Sequence, residues 1–160
     1  MNKQEIYDYL DTKGIHYEVD EHKAVYNMSE LEDVVLKYPE LDAKNLFVRD
    51  DKKRQYYLIT VKGDKRVDLK VFRKQYNTRP LSFASSDDLN ALLHLSPGSV
   101  TPLGLLNDEA LKVVFYLDDY FKESLIGCHP NDNTATIWLQ SSDLIKLITE
   151  HGNEVHVVEI

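Results

Sequence analysis

Cysteine is almost missing from this 160-residue chain, with Cys128 standing alone. A single thiol closes no internal disulfide and supports no multi-cysteine zinc site. One tryptophan, six glycines and five prolines leave no room for a collagen-like, linker-rich or low-complexity organisation. No uninterrupted apolar run approaches the roughly 18 residues that suggest a membrane span. Met1 is followed by Asn2-Lys3-Gln4-Glu5 with no apolar stretch behind it, which reads as a chain without a secretory leader and makes the cytoplasm the expected location. The glycine-rich dinucleotide loop GxGxxG, the Walker lysine loop, the zinc helix HExxH and the nucleophile elbow GxSxG are all absent.

What is present describes an ordinary globule: 42% hydrophobic and 29% charged residues, in a length that predicts one domain over residues 1–160. A chain of this size buries about 70% of its unfolded surface and needs no metal or disulfide to fold. Its net charge of −8 argues against nonspecific nucleic-acid binding. The distribution says more. From Lys44 to Arg79 twelve Lys or Arg stand against four Asp, a local net of +8, while the remaining 124 residues carry −16. One cationic third on an anionic body suits a protein that docks a polyanion in a single orientation. Exposed hairpin tips and helix faces that merely collect lysine are the alternative.

Periodicity predicts interspersed helices and strands. Asn2–Lys13 places Ile6 and Leu10 on one helical face before Gly14, and His16–Asp20 alternates as a short strand. Ser29 and Glu32 form a capping box for a second helix that Pro39 ends. Strands are expected at Asn45–Val48 and Tyr56–Val61, joined by the charged turn Asp50–Arg54, and Asp68 is placed to cap a basic helix through Tyr76. Leu81–Ala84 reads as a strand, Ser86–Leu93 as a helix and Pro97–Asn107 as a loop. Lys112–Leu117, Ser124–Cys128, Thr134–Leu139 and Glu154–Val158 read as strands, with a helix at Ser142–Glu150. Several links are too short for parallel crossovers, so the expected fold is α+β: a single domain with a mixed, largely antiparallel sheet and packed helices.

Three places carry candidate chemistry. Lys44-Asn45 sets an ammonium beside an amide at a strand start, where the lysine either serves a pocket or is simply solvated. Pro97-Gly98-Ser99-Val100-Thr101-Pro102 is a stiffened bend in which Gly98 permits close backbone approach or a positive φ. It can present backbone N–H groups to an ester oxygen, or serve as a plain structural loop. Gly127-Cys128-His129-Pro130-Asn131-Asp132-Asn133 is a strand end entering a polar turn, where His129 either orients a hydroxyl or water or caps the strand. Cys128 and His129 are neighbours on a strand and face opposite ways, a poor nucleophile–base pair, so Cys128 reads as a buried hydrophobe. His16, His22, His94, His129, His151 and His156 show no metal-ligand spacing.

Together these segments resemble the YbaK/ProX family of aminoacyl-tRNA editing domains. The resemblance rests on Ala43–Asp50 (AKNLFVRD), Leu81–Ser85 (LSFAS), Pro97–Asp108 (PGSVTPLGLLND) and Gly127–Leu139 (GCHPNDNTATIWL), with a weaker contribution from His22–Val25. They lie in family order across nearly the whole chain. The PGSVTP–GLLND stretch and the His129-Pro130 turn look most like the free-standing deacylases that clear alanine from mischarged proline tRNA.

The resemblance implies hydrolysis of the ester joining an amino acid to the terminal ribose of tRNA, by a positioned water and without a protein nucleophile. By matched position Lys44 corresponds to the family's required lysine, with Asn45, Gly98 and His129 beside it in the catalytic set. Val25, Ser99, Val100, Thr101 and Pro102 fall in the substrate-binding set. The cations Lys52, Lys53, Arg54, Lys62, Lys65, Arg66, Lys70, Arg73 and Lys74 are the expected contacts to tRNA phosphates. The implied partner is the acceptor end of mischarged tRNA(Pro), with prolyl-tRNA synthetase a second candidate; no membrane, cofactor or metal is implied. Clearance of cysteine or another small amino acid, and a tRNA-binding module without turnover, are the alternatives that stay open.

Overall fold

Asn2 starts the first helix of the computed structural model, which describes residues 1–24 and 35–160. Its side chain accepts from the Glu5 amide at 2.9 Å while the Glu5 carboxylate accepts from the Asn2 amide at 3.1 Å, so two otherwise orphaned donors are satisfied. In α1 (Lys3–Thr12), Ile6 and Leu10 point to the same side and are fully buried. Gly14, at φ +68°, turns the chain out of the helix in a conformation that disfavours a side chain.

The strands form two sheets. One holds β1 (Tyr17–Glu21), β6 (Leu125–Cys128) and β7 (Ala135–Gln140), with β7 in the middle and both pairings antiparallel. The other holds β2 (Ala43–Asp50), β3 (Tyr56–Lys62), β4 (Leu81–Phe83), β5 (Val113–Asp118) and β8 (Val155–Val158), in the order β4-β2-β3-β5-β8. There β2 is antiparallel to both β3 and β4, whereas β3–β5 and β5–β8 are parallel. The long connections that parallel pairing needs carry α2 (Leu69–Tyr76), α3 (Ser86–Leu93) and α4 (Ser141–His151). The mixed, largely antiparallel α+β architecture expected from the sequence is the one formed.

Alternation along β2 divides the core. Phe47 and, across the ladder, Leu58 join Ile6, Leu10, Phe115, Ile137 and Leu139 in the main cluster, which also receives Leu89 and Leu93 of α3 and Leu144, Leu147 and Ile148 of α4. On the opposite face Leu46, Val48, Ile59 and Val61 pack with Phe72 of α2 and Tyr116. Asp68 caps α2, accepting from the amides of Lys70 and Val71.

Two expected elements take a different form. The helix opened by Ser29 lies mostly outside the described residues; Pro39, which was to end it, starts a 3₁₀ turn, Pro39–Leu41. The Pro97–Asn107 segment is not an open loop but two 3₁₀ turns, Pro97–Ser99 and Pro102–Asn107, each with proline in its first positions. Proline fixes φ in the helical range, and Leu103 and Leu105 drop fully into the core.

Candidate active site at the open edge of β2

The hairpin register sets Asn45 opposite Thr60 and Lys44 opposite Val61. Successive strand residues face opposite ways, so Asn45 looks toward the main core with Thr60, while Lys44 shares the α2 side with Leu46 and Val61. The Thr60 hydroxyl donates to Asn45 Oδ1 at 2.6 Å, and Asn45 Nδ2 donates to the Val100 carbonyl at 3.2 Å. One amide N–H of Asn45 remains for a ligand.

Lys44 Nζ donates to the Lys65 carbonyl. Lys65 is itself anchored by a 2.7 Å ion pair to Asp118, whose side chain is only 2% exposed. Burial lowers the Lys44 pKa, the Arg66 charge lowers it further, and Asp64 opposes both.

β4 pairs with β2 only at Val48–Asp50, with one further bond from the Ala84 amide to the Phe47 carbonyl at 3.0 Å. The Lys44–Leu46 edge is therefore uncovered on that side by any described strand, and two cavities open there. One, of about 220 Å³, is lined by Asn45, Phe47, Ala84, Leu89, Pro97 and Val100 among others. The other, of about 480 Å³, is lined by Lys44, Asn45, Leu46, Arg66, Val67 and Phe83. Asn45 and Phe83 belong to both, so the lysine and the proline-rich bend address neighbouring spaces from opposite faces of one strand.

Within the bend, Val100 and Pro97 line the smaller cavity. Ser99 is buried and its hydroxyl donates to the Ser96 carbonyl at 3.2 Å. Thr101 and Pro102 are buried too; the Thr101 hydroxyl donates to the His129 carbonyl at 2.6 Å and tethers the bend to the end of β6. Gly98 sits in a 3₁₀ turn and is not among the glycines with positive φ, so that use of its freedom is not made. Val25 lies outside the described residues.

His129 lines neither cavity. Its Nδ1 donates to the Ala135 carbonyl at 2.7 Å, leaving Nε2 as the acceptor of a neutral ring. Burial lowers its pKa, the neighbouring His22 lowers it too, and the Ala135 bond opposes them. The His22 ring meets it edge-on at 6.2 Å. Cys128 is buried, and burial pushes its thiol up to about 12, the state of an inert hydrophobe. Burial likewise raises Asp42, at the foot of β2, to about 7 against a bond from the Ala43 amide.

The cations form a track. Arg66 borders the larger cavity, and Lys70, Arg73 and Lys74 occupy the solvent side of α2, with Phe72 inward. Arg79 then grips Asp51 at 2.6 and 3.0 Å, at the exposed hairpin tip that carries Lys52, Lys53 and Arg54. By strand rise that tip is about 25 Å from Lys44. Lys65 is committed to Asp118 and Lys62 lies 3.6 Å from Asp64, so these two are less available to an external anion. Thr60 and Phe83 escaped the sequence reading. Counting outward from the hairpin turn would have found Thr60 opposite Asn45.

The same α+β fold occurs in a solved candidate trans-editing enzyme for prolyl tRNA synthetase: the TM-score is 0.72 at 22% identity, over 99% of this chain and 96% of that one. The chain belongs to the aminoacyl-tRNA editing domain family, whose pattern fits residues 22–147, and this places it among aminoacyl-tRNA deacylases. Among its relatives, the prolyl-tRNA editing protein ProX of Acetoanaerobium sticklandii is 38% identical over 99% of this chain and 97% of its own length. The mouse prolyl-tRNA synthetase associated domain-containing protein 1 is 31% identical over 95% of this chain and 92% of its own length. Among the described residues no helix is long and apolar enough to cross a membrane.

Proposed function

We propose that this chain, acting as one domain in the cytoplasm, removes alanine from mischarged tRNA(Pro) in trans to prolyl-tRNA synthetase. The observation that carries the reading is Asn45 standing between a small, mostly apolar cavity and a larger one bordered by Lys44 and Arg66. The aminoacyl group enters the smaller space, against Phe47, Leu89 and Val100. The terminal nucleotide takes the larger one. A synthetase pocket shaped for proline rejects the smaller alanine weakly, since missing methylenes cost only about 1–3 kcal/mol, and a second sieve of small volume supplies the rest.

An aminoacyl ester is already activated, so positioning and polarisation suffice. Water adds to the carbonyl carbon, the bond to the ribose oxygen breaks, and that oxygen leaves with a proton. The free N–H of Asn45 faces the carbonyl oxygen as negative charge develops on it, and the Lys44 ammonium leaves Lys65 to bind the acceptor end. Gly98 and Ser99 shape the bend that sets Val100 against the substrate, while Thr101 and Pro102 hold it rigid. Val25 is assigned to the amino-acid pocket. The His129 carbonyl pins Thr101, so His129 acts on the site through the bend that it anchors.

The test is loss of the ester from separately prepared alanyl-, cysteinyl- and prolyl-tRNA(Pro). Fast loss of alanine with prolyl-tRNA spared is expected. Preferential loss of cysteine would reassign the substrate, and loss of none would defeat the reading.

A further inference from the structure

Phe83 is out of place. The other phenylalanines, Phe47, Phe72, Phe115 and Phe121, are buried, whereas Phe83 is 65% exposed. Tyr120, the next most exposed phenylalanine or tyrosine among the described residues, is occupied: its hydroxyl donates to the Glu40 carbonyl at 2.8 Å and the Lys62 ammonium lies over its ring. Among the described residues Phe83 stacks on no ring. It ends an edge strand, where a bare apolar side chain invites pairing with other chains and is normally selected against. Nothing in the packing of the fold accounts for it.

Its position accounts for it. Phe83 is the last residue of β4, opposite Val48, where the sheet edge opens. Phe83 lines both cavities, sharing each with Asn45 and the larger one also with the cations Lys44 and Arg66. An exposed apolar ring lining one space with a hydrogen-bonding amide and two cations fits one kind of occupant: a planar base attached to a sugar that bears a phosphate in one direction and an acyl ester in the other. At about 480 Å³ the space lies within the usual ligand-pocket range of roughly 300–1,000 Å³.

We propose that Phe83 is the stacking platform for the 3′-terminal adenine of the tRNA, holding the terminal nucleoside so that its ester reaches Asn45 while Lys44 and Arg66 take the adjoining phosphate. The assignment deepens the deacylase reading and rests on it for the identity of the nucleoside. Stacking on an aromatic face is tolerant of the base, so the affinity comes from the ring plane and discrimination among amino acids stays with the smaller cavity.

The experiment separates the two levels. Adenosine 5′-monophosphate and ribose 5-phosphate are titrated into the full chain, with binding read from the ring-proton shifts of Phe83 and the amide shifts of Asn45 and Arg66. Wild type is expected to bind the nucleotide at least fivefold more tightly than the base-free sugar phosphate, the low end of one base–aromatic stack. F83A and F83L should both lose that preference, and F83W should keep it. An equal affinity of wild type for the two probes overturns the proposal, and so does a preference that survives in F83L, which is apolar but has no ring. A parallel assay on alanyl-tRNA(Pro) expects F83A to raise KM with kcat nearly unchanged. Failure of wild type to release alanine defeats the parent reading, while the two titrations still decide Phe83.

Discussion

Thr60 holds the Asn45 amide in one orientation. The Val100 carbonyl can only accept, so Nδ2 faces it, and Oδ1 is left to accept from the Thr60 hydroxyl at 2.6 Å, which locks the amide in place. Thr60 is fully buried and lines neither of the two cavities, so it acts through Asn45. Thr60→Val keeps the volume and removes the hydroxyl. We expect kcat to fall about tenfold, equivalent to about 1.4 kcal/mol, with KM little changed. Thr60→Ser should restore turnover. Single-turnover deacylation measures the first effect, and a thermal melt confirms that the fold persists.

Lys44 rests on a carbonyl that Asp118 holds through Lys65, so its ammonium is positioned before substrate arrives. A hydrogen bond to a charged group such as a phosphate contributes about 1.5–3 kcal/mol, roughly ten- to a hundredfold in binding. Lys44→Ala removes the cation assigned to the acceptor end and should therefore lower kcat/KM roughly ten- to a hundredfold on alanyl-tRNA(Pro). Its half-buried side chain supports no core packing, so the urea midpoint should move little. Wild-type activity in this variant would remove Lys44 from the site.

Much of this arrangement was legible in the chain itself. Strand and helix positions follow from alternation, caps and prolines, and Asp68 caps the basic helix as its place in the chain predicts. The segments Ala43–Asp50 and Pro97–Asp108 do meet, through Asn45 and Val100. The opposite facing of Lys44 and Asn45 is also implied by the period of two. The two parallel pairings were not legible, since they depend on which distant strands share a core. Nor was the exposure of Phe83, which arises from β4 ending three residues into its pairing with β2. A glycine's conformation is hard to foresee: Gly98 sits in a 3₁₀ turn and makes no use of a positive φ.

Gly127 is required by Trp138. A Cβ on Gly127 would lie 2.2 Å from the indole Cζ3, and the indole cannot retreat: it is fully buried and its Nε1 donates to Asp20 at 2.8 Å. Gly127→Ala should destabilise the fold by about 1–3 kcal/mol through overpacking. Urea unfolding followed by Trp138 fluorescence would measure it. An unchanged midpoint would mean that the two strands separate freely there.

Lys70, Arg73 and Lys74 share no ion pair with any described residue, whereas Lys65 is tied to Asp118. Charge reversal at Lys70, Arg73 or Lys74, or at Lys52, Lys53 or Arg54, should weaken tRNA binding and flatten its dependence on salt. Each lost phosphate contact to the acceptor stem should reduce the log–log slope by about 0.9. Lys65→Gln should act differently, leaving Asp118 buried without its partner and lowering stability while the slope stays near wild type. Affinity measured from 50 to 200 mM salt distinguishes the two behaviours, and slopes unaffected by reversals on α2 would show that this track does not touch the nucleic acid.

Asp42 gives the fold a pH dependence of unusual sign. Burial raises its carboxyl from 3.8 in the unfolded chain to about 7 in the native one. Between those values the native state holds a proton that the unfolded state has released, so stability falls as pH rises through this window and is lowest above about 7. The full difference, about three pH units, corresponds to roughly 4 kcal/mol as an upper bound. Asn cannot ionise and still accepts the bond from the Ala43 amide, so Asp42→Asn should remove this slope. At pH 8 the variant should melt above wild type, and near pH 4 the two should converge. Urea unfolding at half-unit steps from pH 4 to pH 8 gives the answer directly: parallel curves for the two proteins would mean that Asp42 is ionised in the native state throughout.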